Sequence, residues 1–253
     1  MVSELKMKKK EEKIEYVNSE GKRLDGRKID ELRPIKIEVG VLPQARGSAY
    51  LEWGQNKVIA AVQGPMEAIP KHIASPYKAV IRFDYRMSTF SVPDRKNPKP
   101  GRRDIEISKV CGEALEKAVF VEQFPNTIIR IWAQLLDSNA GSRVAALSAA
   151  SVALADAGIP MHDLVSAVAV GRVGGNLVLD LNKDEEDAED AVDMPVAILP
   201  NTEEIVLLQM DGLITKKEEE QLIELALKGC KEVHEKQMEA LKKKYELVEE
   251  VKK

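Results

Sequence analysis

Residues 142–160 constrain the fold more than any other part of the chain. They read SRVAALSAASVALADAGIP, so alanine and other small residues fill most positions. Alanine is the strongest helix former, and Gly158 followed by Pro160 is the usual signal that ends a helix. Small side chains also leave room for neighbouring elements to pack closely. The segment therefore predicts a helix that packs tightly against the rest of the protein.

Alternation of apolar and polar residues predicts strands before and after this helix. The predicted strands are 35–42, a hairpin over 48–63 that turns at Gly54, Gln55 and Asn56, 79–88, 126–137, 167–173, 176–182, 194–200 and 204–210. Two more helices are predicted, one at 104–120 and one from 216 to about 250. This order of elements favours an α+β fold with two similar halves.

The composition is that of an ordinary globular protein, since 253 residues with 44% hydrophobic side chains suffice for one large domain or two small ones. Cys111 and Cys230 lie far apart without CxxC spacing, which argues against a disulfide framework or a zinc site and favours a reducing compartment. The N-terminus lacks the apolar core of a signal peptide, and no apolar run has the length of a membrane span. We therefore expect a cytoplasmic protein without membrane contacts.

Two segments, PGRRDIEIS and NAGSRVAAL, place arginine in the first turn of a predicted helix. The positive end of the helix dipole makes a cation unfavourable there, so each placement calls for an anion. A helix start with free N–H groups, a glycine and an arginine suits phosphate, and Gly141, Ser142 and Arg143 supply all three. The alternative is that Ser142 caps its helix while Arg143 faces solvent, and that Arg102 and Arg103 belong to a solvated loop.

Residues 184–195, DEEDAEDAVDMP, carry seven carboxylates in twelve positions and join two predicted strands. Asp193 directly precedes a strand that must be buried, so its carboxylate is held rigidly, and Asp187 lies across the turn. Two such carboxylates can hold a divalent cation, or one can act as a general acid with a pKa raised by repulsion. The ordinary alternative is a solvated turn, above all for Asp184, Glu185 and Glu186.

Five separated blocks resemble the RNase PH family of phosphorolytic 3′→5′ exoribonucleases, most closely its branch of catalytic ring subunits from archaeal exosomes. They follow one another in the family's order and span about residues 17 to 240. The blocks are RLDGR at 23–27, GPMEAIPKH at 64–72, GRRDIEISKV at 101–110, NAGSRVAALSAASVALADAGIP at 139–160 and DLN…EDAEDAVDMPVAI at 180–198.

The resemblance implies a fold of two pseudo-related βαβ-type halves with mixed sheets and flanking helices. Residues 17–160 would form the first half, and residues 161–253 the second half with the acidic loop and a long C-terminal helix, after a flexible segment at 1–16. It also implies a hexameric ring, a trimer of heterodimers with a related inactive subunit, and RNA-binding cap subunits. The ring would degrade single-stranded RNA by phosphate attack and release nucleoside diphosphates in a reversible reaction.

The resemblance also assigns roles to individual residues. Those implied for phosphate are Gly141, Ser142, Arg143 and Arg103, and those implied for RNA are Arg86, Arg102, Lys71 and His72. Asp187 and Asp193 correspond to the family's acidic pair, one a general acid and the other a ligand of Mg²⁺, with the assignment between them left open.

Three alternatives to this activity remain at the level of sequence. Ala140, Ser142 and Pro195 differ from RNase PH itself, which speaks against trimming of tRNA 3′ ends. A non-catalytic ring subunit that only shapes the RNA channel is disfavoured because this chain has both the phosphate-binding arginine and the carboxylate pair. The third alternative is a structural acidic protein that binds divalent ions.

Overall fold

The computed structural model of the chain describes residues 16–18 and 21–251. The predicted flexible segment 1–16 lies outside these residues except for Tyr16. The elements in chain order are β1 (Ile35–Val39), β2 (Gly47–Trp53), β3 (Asn56–Glu67), β4 (Val80–Met87), α1 (Arg102–Ala118), β5 (Thr127–Asp137), α2 (Ser142–Asp156), β6 (Ser166–Val173), β7 (Asn176–Leu179), α3 (Lys183–Glu186), β8 (Val192–Leu199), β9 (Glu204–Leu208) and α4 (Lys216–Val251).

The described strands form two sheets. The first has the order β1-β2-β3-β5-β4 and is antiparallel except for the parallel pair of β4 and β5. The second has the order β7-β6-β8-β9 and is antiparallel throughout. The predicted strands and the predicted turn of the hairpin are confirmed, because alternation of apolar and polar residues is a local signal that one half-buried face imposes.

Helix α2 lies between the two sheets. It contacts β2, β3 and β5 of the first sheet and β6 and β8 of the second, and 12 of its 15 residues are buried. Small residues make this double contact possible, and Gly47 of β2 shows how close it is. A Cβ on Gly47 would lie 2.3 Å from the carbonyl oxygen of Ala153. The close packing predicted for α2 is thus confirmed.

The other long helices cover the outer faces. Helix α1 buries Ile107, Cys111 and Leu115 toward β4, and α4 packs mainly on β6 and β1 with Leu222 and Val233 fully buried. Each such large apolar side chain stabilises the fold by about 1.5–3 kcal/mol relative to exposure. Among the residues that the structure describes, no helix is long and apolar enough to cross a membrane.

Candidate active site

The first turn of α2 is open to an anion. Gly141 precedes the helix in the left-handed conformation at φ 62°, and a Cβ there would lie 3.1 Å from Nη2 of Arg33. No side chain caps the helix, and its first turn holds no acidic residue. The protein therefore supplies no side-chain acceptor for the first N–H groups and no negative charge for the positive end of the helix dipole. Ser142 and Arg143 occupy this turn. The local geometry therefore suits a phosphate group.

Helix α1 starts differently although it also begins with arginines. Asp104 lies in its first turn, and the carboxylate accepts hydrogen bonds from the Gly101 N–H at 2.8 Å and from Lys96 Nζ at 2.7 Å. The buried Asp104 thus supplies the anion that the dipole requires. The compensating anion expected at this helix start is thus a residue of the helix itself, and Arg103 lies 3.9 Å from Glu186.

Asp180 fixes the chain that leads into α2. Its fully buried carboxylate accepts hydrogen bonds from the Arg33 N–H at 2.8 Å, from Arg33 Nη2 at 2.7 Å and from Trp53 Nε1 at 2.9 Å. Arg33 in turn donates from Nη1 to the carbonyl of Asn139 at 2.6 Å. Burial acts to raise the pKa of Asp180, but the charge and hydrogen bonds of Arg33 outweigh it and hold that pKa below its usual value.

A second buried ion pair ties the acidic segment to the RLDGR block. Arg23 Nε donates to Glu185 Oε1 at 2.7 Å, and Arg23 also donates to the carbonyl oxygens of Leu179 at 2.6 Å and Asp180 at 2.9 Å. Both side chains are completely buried. The expectation that Glu185 belongs to a solvated turn is wrong, because its carboxylate neutralises Arg23 inside the protein. The buried set of Arg23, Arg27, Arg33, Asp180 and Glu185 is called the arginine junction below.

The acidic segment also contains a short helix where the sequence suggested only a turn. Helix α3 begins after Asn182, whose side chain accepts a hydrogen bond from the Glu185 N–H at 3.0 Å, while Glu185 accepts one from the Asn182 N–H at 2.9 Å. This reciprocal capping box is a recognisable sequence signal, although the helix is only one turn long. It places Glu186 and Asp187 at the rim of a cleft.

That cleft has a volume of about 540 Å³ and brings residues from both halves together. Its charged lining includes Arg103, Arg143, Lys183, Glu186, Asp187 and Asp193. Four of these residues were singled out from the sequence, two as phosphate ligands and two as the acidic pair. The basic start of α2 and the acidic segment therefore share one solvent-accessible site. The roles of these residues remain predictions.

Arg143 is held in place by two residues that sequence patterns did not single out. Its guanidinium donates to Gln209 Oε1 and lies 3.6 Å from Glu106 Oε1, while Gln209 Nε2 donates to the same Glu106 oxygen at 2.7 Å. The Arg143 side chain is only 16% exposed, so the alternative that it points freely into solvent is wrong. Gln209 and Glu106 lie far from Arg143 in sequence, and although Glu106 belongs to the GRRDIEISKV block, that block does not indicate its contact with Arg143.

Asp193 has the environment of a proton donor. It lies in β8, where main-chain hydrogen bonds of 3.1 and 2.9 Å in opposite directions join it to Asp211. Burial, followed by repulsion from Glu186, raises the pKa of Asp193 to about 6 despite the opposing charges of Arg143 and Arg103. A carboxyl group with such a pKa is protonated in about a tenth of the molecules at pH 7, far more than an ordinary aspartate, and a general acid requires that proton.

Asp187 has a different environment from Asp193. It ends α3, its side chain is 61% exposed, and Lys183 Nζ forms an ion pair with it. In the described part of the chain, no group of three or more histidine, cysteine or acidic side chains is arranged to hold a metal. Mg²⁺ commonly binds through one or two carboxylates together with substrate phosphates, and the cleft offers Asp187 and Asp193 for that mode.

The remaining predicted residues lie outside the lining of this cleft. Ser142 is buried beneath it, and Arg102 is exposed at the start of α1. Arg86 projects from β4 toward Asp84, at 3.6 Å, in a neighbouring groove between β4 and α1. Lys71 and His72 form an exposed single turn of 3₁₀ helix after β3. The structure thus separates these four basic residues from the carboxylates.

Comparison with known proteins gives the class of the molecule. Residues 31–160 match the first domain of the 3′ exoribonuclease family, RNase PH, and residues 163–229 match its second domain. The chain belongs to this family. The resemblance and the α+β fold predicted from the sequence are both confirmed.

Individual relatives place the chain more narrowly. It is 55% identical over 239 residues to the exosome complex component Rrp41 of Pyrococcus abyssi, a match that covers 94% of this chain and 96% of that protein. Among solved structures, rice Rrp46 superposes with a TM-score of 0.78 at 24% identity, covering 87% of this chain and 100% of that one. A chain of the Archaeoglobus fulgidus exosome with RNA bound to the active site gives 0.73 at 23% identity, covering 86% and 93%. The two structures establish the fold.

Proposed function

We propose that the chain is a catalytic subunit of an exosome-type ring that degrades single-stranded RNA from its 3′ end by phosphorolysis. The observation that carries this proposal is the single cleft in which Arg143 and Arg103 face Asp193 and Asp187. The strong similarity to an archaeal exosome component supports the same activity. Phosphate rather than water accepts the terminal nucleotide, so the products are nucleoside diphosphates and the enzyme is not a hydrolase in the strict sense.

The phosphate site would lie at the start of α2. There the N–H groups after Gly141 and the hydroxyl of Ser142 would bind phosphate beside Arg143, and Arg143 and Arg103 line the same cleft. Attack by an anionic phosphate on an anionic phosphodiester requires cations that cancel the repulsion. The two arginines supply that charge at fixed positions, which lowers the barrier without rearrangement during the reaction.

We assign the general acid to Asp193 and the main metal contact to Asp187. The raised pKa of Asp193 allows it to protonate the departing 3′ oxygen. Asp187 is exposed and fully available once Lys183 releases it. Mg²⁺, when bound, would neutralise charge on the phosphate oxygens.

RNA binding and assembly extend beyond the cleft. Arg86 and Arg102 would bind the RNA backbone near the site, and the exposed Lys71 and His72 would bind the strand farther along a channel. We further propose a hexameric ring with a related inactive subunit, and RNA-binding caps on one face. A cytoplasmic location fits the two buried, unpaired cysteines.

The decisive experiment is a digestion by the reconstituted ring of this chain with its RNase PH-like partner subunit. Single-stranded RNA should yield nucleoside diphosphates in the presence of phosphate and Mg²⁺, and no product without phosphate. Asp193→Asn should reduce the rate about 10²–10⁴-fold while RNA binding persists. The matched control is Asp184→Asn, an exposed carboxylate of the same acidic segment. Nucleoside monophosphates, or bound RNA that is never cleaved, would refute the proposal.

A further inference from the structure

A buried tyrosine contacts the proposed phosphate site from below. Tyr85 lies in β4, only 1% of it is exposed, and its phenol oxygen lies 2.8 Å from the hydroxyl oxygen of Ser142. Ser142 is itself 6% exposed and directly precedes Arg143 at the start of α2. The contact therefore links the first sheet to the one side-chain hydroxyl in the first turn of α2.

The direction of this hydrogen bond follows from the bonding capacity of the two hydroxyl groups. Within residues 16–18 and 21–251, neither oxygen has another hydrogen-bond partner. If Ser142 donated to Tyr85, the phenol hydrogen would remain buried without an acceptor, which is costly. Burial also raises the pKa of Tyr85 to about 12, so the phenol keeps its proton at any physiological pH. Tyr85 is therefore the donor and Ser142 the acceptor.

This arrangement leaves the hydrogen of Ser142 without a protein acceptor. A hydroxyl group whose oxygen accepts one bond is polarised toward donating its own hydrogen, and the pair forms a short relay. An anion bound at the start of α2 would supply the next acceptor. An anion is the ligand that this helix end favours, because the first turn has no acidic residue and carries Arg143.

We propose that Tyr85 is a positioning residue that fixes the Ser142 hydroxyl as a hydrogen-bond donor to inorganic phosphate. The proposal rests on the proposed phosphorolytic function and adds to it a residue from a different element. Without the phenol, the Ser142 hydroxyl is free to rotate and to donate to main-chain carbonyls nearby, as serine does at helix ends. Phosphate would then lose one oriented donor, whereas RNA binding and the acidic group would be unchanged.

The test is a double-mutant cycle on the assembled ring, with phosphate as the varied substrate. Tyr85→Phe removes one oxygen and retains the aromatic ring in the core. It should raise the KM for phosphate about three- to tenfold, the effect of one neutral hydrogen bond, with less than a twofold change in kcat and in the KM for RNA. In a Ser142→Ala background the same substitution should add nothing, because both changes remove the same donor.

Two controls separate this role from general damage to the fold. Tyr50→Phe removes a phenol that donates to Glu52 at 3.0 Å on β2, and it should leave the KM for phosphate unchanged. Protection of each ring by phosphate against thermal unfolding measures phosphate binding without turnover, and Tyr85→Phe should weaken that protection.

Different results would refute the role of Tyr85 and the phosphorolytic function on which it rests. If the wild-type ring makes phosphate-dependent products but Tyr85→Phe matches it in KM and in phosphate protection, the role of Tyr85 is refuted alone. Equal effects of Tyr85→Phe with and without Ser142→Ala would also refute it, because the tyrosine would then not act through the serine. A wild-type ring that makes no diphosphates yet gains thermal stability from phosphate through Tyr85 would overturn the phosphorolytic function and not the phosphate site.

Discussion

Asp180 and Asp193 are both carboxylates of the second half that are largely withdrawn from water, yet their pKa values shift in opposite directions. Arg33 and the other arginine-junction residues surround Asp180, and the pKa of Asp180 is lowered in spite of its burial. Asp193 is mostly buried beside Glu186 and Asp211, and its pKa rises to about 6. Burial is common to the two sites, so the partners decide the protonation state.

The contrast separates a structural site from a reactive one. In the arginine junction each carboxylate is hydrogen-bonded to a buried arginine, and the result is a link between the RLDGR block, the acidic segment and the chain entering α2. In the cleft, Glu186 and Asp211 repel the Asp193 carboxylate, so binding of a proton or a cation stabilises it. Groups left in unfavourable surroundings by their own fold are typical of active sites, where substrate completes the charge balance.

The largest expected effect comes from breaking the arginine junction. Asp180→Asn leaves Arg33 buried without its compensating charge, whereas Arg27 keeps its ion pair with Asp25, and the substitution should lower the free energy of unfolding by about 3–5 kcal/mol. Denaturant unfolding of the variant measures the loss. The exposed Asp184→Asn should change stability by less than about 0.5 kcal/mol. A similarly small change in Asp180→Asn would mean that the junction does not hold the fold.

A substitution at Asp193 should change the free energy of unfolding in the opposite direction. Its carboxyl group has a pKa near 6 in the folded protein against an ordinary value of 3.8, so between these pH values the folded state binds more protons than the unfolded state. Stability contributed by this group is therefore present below pH 3.8 and is lost as pH rises through 6. Asp193→Asn removes the penalty and should stabilise the protein by about 2 kcal/mol at pH 7.5.

Thermal unfolding at several pH values tests whether Asp193→Asn stabilises the protein. The melting temperatures of wild type and Asp193→Asn should differ at pH 7.5 and converge as the pH falls toward 4. A variant that is less stable than wild type across the range would show that the Asp193 carboxylate has favourable partners after all. In that case the comparison with Asp180 would lose its basis.

Substitutions of the two cleft aspartates should also differ in how they change the Mg²⁺ dependence of the reaction rate. Asp187→Asn should raise the Mg²⁺ concentration needed for half-maximal phosphorolysis by at least about tenfold, because the substitution removes the main carboxylate ligand. Stability should barely change, because its ion pair with Lys183 is exposed. Titration of the rate with Mg²⁺ measures the shift. If extra Mg²⁺ restores Asp193→Asn but not Asp187→Asn, the two roles must be exchanged.

Local patterns in the sequence were sufficient for the elements and for part of the site. The strands, α1, α2 and the long α4 follow from periodicity and from stop signals such as Gly158, which depend on near neighbours. The sequence also predicted that NAGSR and the acidic segment act at one site, because a phosphate reaction needs both an anion-binding group and carboxylates. The capping box of Asn182 and Glu185 is a sequence signal for α3, but a helix of one turn is too short to show a helical periodicity.

Contacts between distant segments could not be predicted in the same way. Glu185 is buried because Arg23 lies against it from 162 positions away, and an acidic run otherwise resembles a solvated turn. Gln209 and Glu106 hold Arg143 through tertiary contacts, and no sequence pattern indicates either contact, although Glu106 lies within the GRRDIEISKV block. Such residues are determined by packing between elements, which periodicity does not encode.

The smallest expected effect concerns Glu106, which lines the cleft and pairs with Arg143. Its carboxylate lies 3.6 Å from the Arg143 guanidinium and competes with phosphate for it. Glu106→Gln retains the hydrogen bond to Gln209 but removes the charge, so the KM for phosphate should fall about two- to threefold, as expected for a half-exposed ion pair. Glu113→Gln on the same helix is the matched control, since Glu113 pairs only loosely with Lys109 at 3.9 Å. An increased KM in Glu106→Gln would mean that the Glu106 charge helps phosphate binding by holding Arg143 in place more than it hinders binding by competition.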